Sequence, residues 1–240
     1  MSTPPAVSFG HSPAIWQAFP QLVPGVLVVD GIRPEVDADP VAEPWRERAR
    51  GRLGGAAESE LPEVAAWRRA YARMGLKPTQ YRSAAEALLR RFRREGTLPR
   101  LHPLVDLGNA VSLAFALPVA VLDVAAIAGA LEVRHATGDE QYESFSGEIE
   151  APEPGEVIFA DAANHAHARR WTFRQSRRST VGPGTRSALV VAEALHAAGA
   201  ADVAALLDAL ADGVTRLWGP PRLAAVLTAA APRVEVAPAS

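Results

Sequence analysis

Two strand-like segments in the second half of the chain hold the residue types best able to do chemistry. Gly155-Glu156-Val157-Ile158-Phe159-Ala160-Asp161 is an apolar run that ends on an acid, and Arg169-Arg170-Trp171-Thr172-Phe173-Arg174 combines arginines with aromatics. From Ala162 to Ala192 there is no Asp or Glu, yet six Arg occur, at 169, 170, 174, 177, 178 and 186. Positive charge unpaired over such a length fits a phosphate or nucleic-acid ligand, and it fits a solvated face equally well. Strand alternation would turn Trp171 and Phe173 to one side and the arginines to the other. Aromatics so placed can stack bases, although filling a core is their commoner use.

Three further sets could carry chemistry. Asp106 and Asn109, three residues apart, share a face in the first turns of an otherwise apolar helix. They could line a pocket there; otherwise Asp106 serves the positive helix end and Asn109 bonds a loop. His165 and His167 lie on one face of a strand with Asp161 nearby, a set able to hold zinc or iron. No other ligand spacing accompanies them, so loop histidines are the simpler reading and no metal or cofactor is expected. Ser176-Arg177-Arg178-Ser179-Thr180 and Gly182-Pro183-Gly184-Thr185 approach an expected helix N-terminus, where free N–H groups favour anions. This is neither a Walker nor a dinucleotide pattern.

The elements that must position these residues follow from periodicity. Gly25–Gly31 reads as a buried strand between glycines, and Asp39-Pro40 opens a charged helix to about Arg52. A second helix spans about Leu61 to Met74, with Trp67, Tyr71 and Met74 on one face. Ser83-Ala84-Ala85-Glu86 is a capping box for a third, which Gly96 stops. A helix from Leu104 to Ala116 and a short one after Pro118 come next. Strands are expected near Ala130–Ala136, Tyr142–Phe145, Val157–Ala160 and Ala168–Phe173. Thr185 would cap a helix to about Ala198, with further helices near Ala201–Leu210 and after Pro221. Helices, then strands, then helices argue an α+β fold rather than a doubly wound sheet.

The chain has 240 residues, 48% of them hydrophobic, a net charge of −2 and no cysteine. One sizeable core is therefore possible, and disulfides, thiol nucleophiles and Cys-type zinc sites are excluded. Any attraction to phosphate must be local. Lys77 is the only lysine, so the preference for arginine reflects genome composition as much as ligand geometry. Pro118 and Asp123 interrupt the apolar run Val111–Leu131, which argues against a membrane span, and no secretion signal is visible. A cytoplasmic protein is expected.

Taken in order, Pro103-Leu104-Val105-Asp106-Leu107-Gly108-Asn109, Leu117-Pro118-Val119 with Asp123, Gly155-Glu156-Val157-Ile158 with Asp161, and Arg170-Trp171-Thr172-Phe173-Arg174 with Thr180 and Thr185 carry a resemblance. Together they resemble freestanding B3/B4-domain proteins, which are similar to the editing module of the bacterial phenylalanyl-tRNA synthetase beta subunit. The resemblance implies a B3/B4-like mixed or antiparallel β-structure flanked by helices. It divides the chain into an N-terminal lead (1–65), a B3/B4-like domain (66–198) and a C-terminal helical segment (199–240). The implied partner is tRNA at its aminoacylated 3′ end, and the implied activity is trans-editing hydrolysis of a mischarged Phe- or Tyr-like species. The alternative is a non-catalytic RNA-binding or amino-acid-binding module. On this resemblance Asp106, Asn109 and Thr180 are the candidate catalytic residues, and Asp123, Asp161, Arg170, Trp171, Arg174 and Thr185 the candidate substrate-binding ones. The synthetase module has a histidine shortly after the proline of a Pro-Leu-His-Ala-Phe-Asp segment; Ala120 stands there in this chain. Its tyrosine-recognising glutamate has no match within Arg174–Arg178.

Overall fold

The computed structural model describes residues 6–55 and 57–236, so the first residues of the Pro/Ser-rich lead lie outside the described part. At its centre β2 (Val23–Asp30) and β10 (Ser187–Ala194) pair antiparallel, from Ser187 opposite Asp30 to Ala194 opposite Val23. β3 (Val119–Asp123) flanks β10 and β11 (Leu223–Val226) flanks β2, giving a four-stranded antiparallel sheet. The other sheet has eight strands. Its order is β12 (Arg233–Val236), β1 (Val7–His11), β4 (Ala130–His135), β7 (Val157–Ala160), β8 (His165–Arg169), β5 (Gln141–Glu143) and β6 (Ile149–Glu150), with β9 (Arg174–Gln175) also on β8. It is mixed, because β1 runs parallel to β4 and β5 parallel to β8.

Alternation along β2 explains the layering. Val26 and Val28 point into a core between the sheets, against Phe9, Leu131, Val133 and Phe159. Leu27 and Val29 point the other way, under α5 (Pro103–Phe115) and α6 (Gly199–Leu217), against Leu107, Val111, Leu206 and Leu210. Each fully buried aliphatic side chain contributes roughly 1.5–3 kcal/mol. The α+β class therefore stands, as helix, sheet and sheet in layers.

The early helices match expectation: α2 (Asp39–Leu53), α3 (Pro62–Arg73) and α4 (Ala84–Glu95). The cap of α2 is Ala38 rather than Asp39. Ser83 Oγ accepts the Glu86 N–H at the start of α4, and Gly96 ends it at φ 73°.

Elsewhere the structure corrects the reading. The helix expected after Thr185 is the strand β10, buried on both faces; a continuous apolar run lacks the alternation that separates strand from helix. The segment after Pro118 is β3 followed by one 3-10 turn, and the one after Pro221 is β11 and then β12. The strand expected over Ala168–Phe173 stops at Arg169, because Arg170 and Trp171 turn left-handed at φ 47° and 60°. Trp171 and Phe173 consequently do not share a strand face. β1 and the short α1 (Pro13–Ala18) were not foreseen; both lie in the lead, and β1 joins β12 to β4.

Candidate functional site

The start of α5 sets one wall of the site. His102 caps it, its Nδ1 accepting the Leu104 N–H, and Pro103 fills the first helical position. Burial lowers the His102 imidazole below its usual value, opposed by nearby Asp106, which suits a ring that accepts through Nδ1. Asp106 Oδ1 accepts the Leu101 N–H at 3.0 Å and fixes the preceding segment. Gly108 lets the helix lie close on β3: a Cβ there would sit 3.3 Å from Val121 Cγ2. Asn109 is thereby set beside β3, its side-chain amide without a hydrogen-bond partner among the described residues.

Two neighbouring cavities open along β3. The wider, about 930 Å³ of empty space including its open mouth, is bounded by Leu101, Asn109, Val121, Phe145, Gln175 and Thr180. The narrower, about 410 Å³ of empty space again including its open mouth, is bounded by Pro118, Ala120, Phe159, Trp171, Arg174 and Glu193. Val119 and Gln175 belong to both. Phe145 and Leu101, at the wider cavity, are each 68% exposed. Gln175 Nε2 donates to the Val121 carbonyl at 2.8 Å, which ties the dividing segment to β3.

The narrower cavity has a polar floor in an apolar wall. The left-handed pair Arg170–Trp171 costs of order 1–3 kcal/mol per strained residue. It turns the Trp171 indole fully inward, edge-on to Trp67 and Phe19. Trp171 Nε1 donates to both oxygens of Glu193, at 2.9 and 3.0 Å, and His11 Nε2 lies 2.7 Å from Glu193 Oε1. Glu193 is 2% exposed, so these donors replace its lost hydration. Sequence reading missed both Glu193 and His11. The available signal was a lone acid inside the apolar run Ser187–Leu195, which a buried element has to partner.

The structure brings Asn109 and Thr180 to one cavity and Trp171 and Arg174 to the other. Thr180 Oγ1 donates to the Ser176 carbonyl at 3.3 Å. Asp106 lies with Asn109 on a third, charged cavity toward α2, where Arg46 pairs with Asp39 and Glu43 and Arg100 also contacts Asp39. Asp123 and Thr185 meet away from the cavities: Thr185 Oγ1 donates to Asp123 Oδ2 at 2.6 Å and pins the 182–185 turn to β3. Asp161 braces another turn, accepting from the N–H groups of Ala128, Ala163 and His165, with His165 Nδ1 and His167 Nε2 within 3.2 Å. Burial opposes its ionisation, yet those donors hold its carboxyl far below the usual range.

The acid-free stretch divides. Arg169 is buried, with Nε and Nη2 on Glu156 at 3.0 and 2.9 Å and Nη1 on Glu150 at 2.6 Å. Burial works to raise the Glu156 carboxyl, but the Arg169 and Arg170 charges and hydrogen bonds outweigh it and hold it low. Arg170 stacks over Tyr81, 4.8 Å from the ring centre. Arg186 donates to the carbonyls of Pro183 and Thr185. Arg177 is 3.9 Å from Glu143, whereas Arg174 and Arg178 make no ion pair with a described acid. Of the exposed arginines in this stretch, Arg174 is the one on a cavity wall.

A family model described as the B3/4 domain matches residues 66–213. The chain belongs to the B3/4 domain family. Every candidate site residue named from the sequence falls within that span, and so does Glu193; His11, which contacts Glu193, lies outside it on β1. The fold is similar to that of a solved N-terminal fragment of the phenylalanyl-tRNA synthetase beta-subunit from Pyrococcus horikoshii, with a TM-score of 0.51 at 8% identity. That likeness covers 100% of this chain and 57% of the fragment, so the B3/4 protein spans little more than half the fragment's length. No curated protein sequence matches the chain.

Proposed function

We propose that this B3/4 protein binds the aminoacylated 3′ end of a tRNA in the cytoplasm and hydrolyses the ester of a mischarged species in trans. The observation that carries the reading is the pair of neighbouring cavities along β3, which share Val119 and Gln175. One is narrow and apolar, with a buried acid and indole at its floor; the other is wide and carries an unengaged amide. On this reading the apolar lining of the narrow cavity takes the Phe- or Tyr-like side chain, and the wide cavity the terminal nucleoside. Arg174, exposed at the narrow cavity, can meet a phosphate. No described helix is long and apolar enough to cross a membrane.

In this reading water adds to the ester carbonyl, the bond to the ribose oxygen breaks, and the proton passes to that oxygen. Free amino acid and an uncharged tRNA leave. Asn109 and Thr180 position the water or donate to the developing oxyanion. Asp106 acts at one remove, by holding the segment before α5. The narrow cavity's wall includes Ala120 and no imidazole, and its one acid, Glu193, is engaged by Trp171 and His11, so in this reading proton transfer falls to the substrate's own ribose hydroxyl and to water. The same absence favours a second reading, a module that binds tRNA or an amino acid without chemistry.

A panel of mischarged tRNAs, assayed beside binding of uncharged tRNA, decides between them. Under the first reading Asn109→Ala lowers the single-turnover rate roughly tenfold or more and leaves tRNA affinity unchanged. Arg174→Ala weakens binding and reduces the salt slope by about one phosphate contact. Binding without hydrolysis of any mischarged species establishes the second reading, and no binding of either form removes both.

A further inference from the structure

We propose that Glu63, His196 and Asp202 form a structural site for a zinc-class divalent cation. The three are remote in sequence: Glu63 lies in the first turn of α3, His196 in the turn after β10, and Asp202 in the first turn of α6. A ligand atom from each lies within 4.8 Å of the others. Glu63 and His196 are 7% and 8% exposed.

Their internal bonding leaves lone pairs over. Arg52 donates to Glu63 Oε1 at 2.7 Å, while Glu63 Oε2 is buried with no partner. His196 Nε2 lies 2.7 Å from Asp202 Oδ2, while His196 Nδ1 is buried with no partner. Each buried polar group left unpaired costs about 1–3 kcal/mol, and the trio cannot satisfy these from within itself. A cation held by His196 Nε2, an Asp202 oxygen and Glu63 Oε2 would take the place of the His196–Asp202 hydrogen bond and use the unpaired Glu63 oxygen.

The donor set indicates the ion. Two carboxylates and an imidazole, with no thiolate anywhere in the chain, suit Zn²⁺, and the second oxygen of a carboxylate or a held water would close the fourth position. Arg52 serves as an outer partner that fixes the Glu63 carboxylate, and its charge moderates the affinity. The Asp161, His165 and His167 set is a poorer host, since three backbone N–H groups already occupy Asp161. The role is structural because none of the three residues lines either cavity along β3. The ion would instead clamp the starts of α3 and α6 to the end of β10, three residues beyond Glu193.

The test uses the full chain stripped with chelator and titrated with Zn²⁺ alone, by calorimetry and by thermal melting. One zinc per chain is expected, with micromolar or tighter affinity and a raised Tm. His196→Gln and the partly exposed Asp202→Asn should each weaken binding about tenfold or more. His165→Gln should not change it. Circular dichroism identifies the variants that remain folded, and the more exposed Asp202 keeps the test open if His196→Gln unfolds. Absence of saturable binding to the wild type overturns the site. Undiminished binding in a folded Asp202→Asn protein does so equally. Neither result depends on tRNA, so the editing proposal stands or falls separately.

Discussion

Residues 165–171 and 174–180 belong to one acid-free, arginine-bearing stretch, and the fold treats them in opposite ways. In the first segment Arg169 is enclosed by Glu150 and Glu156, and Trp171 is buried against Glu193. In the second, Arg174 and Arg177 are exposed, and Gln175 and Thr180 line cavities. The acids that neutralise Arg169 come from earlier in the chain, from β6 and from the turn before β7. Strand pairing brings them across. A charge count along a sequence therefore measures demand for counter-charge; only the sheet decides where that demand is met. The first segment is mostly enclosed, with Trp171 at a cavity wall, and the second carries the exposed arginines Arg174 and Arg177.

The largest expected effect tests the inward half. Trp171→Ala should lose about 3–5 kcal/mol in chemical denaturation, from the cavity it leaves and from the stranded Glu193 carboxylate. A loss under about 1 kcal/mol would show the indole to be a ligand surface rather than a core member.

Arg169→Ala comes next, at about 3–5 kcal/mol, because Glu156 is then buried without its guanidinium. The pH dependence gives this a sign. The folded Glu156 carboxyl titrates below its ordinary value of 4.5, so its contribution is complete above that value and is lost as pH falls through the lower folded one. The stability gap between wild type and Arg169→Ala should thus narrow as acid is added below pH 4.5; a gap constant with pH would detach Glu156 from the effect.

The outward half should respond least. Arg174→Ala and Arg177→Ala are expected to change stability by about 0.5 kcal/mol or less, as exposed substitutions outside a buried network do. Arg174→Ala should nevertheless alter tRNA binding. A cost of about 2 kcal/mol in denaturation would erase the contrast between the two segments.

Much of the helical frame was legible in local chemistry. Ser83 with Glu86, Gly96, and Pro103 announce helix ends through hydrogen bonds and dihedral limits that act within a few residues. The ordered motifs from Pro103 to Thr185 were enough for the family, and the Asp106/Asn109 spacing was enough to put both side chains on one helix face. β10 was not legible, because Ser187–Ala194 is buried on both sides and so carries no period. The end of β8 was not legible either: two non-glycine residues adopt left-handed angles there, a strain that only the surrounding core and the Glu193 bonds can hold.

The sequence by itself determined the supply of groups: an α+β chain without thiols, a B3/B4-type order of motifs, and an excess of arginine over acid between 162 and 192. Tertiary structure decided their assignment. It gave Arg169 to Glu156, set Glu193 between Trp171 and His11, left the Asn109 amide unengaged, and gathered Glu63, His196 and Asp202 from three separate elements. Periodicity and capping arise from contacts a few residues apart, which a sequence displays directly. Pairing of buried charges arises from contacts between distant strands, set by sheet register and by the cost of leaving a charge unsolvated.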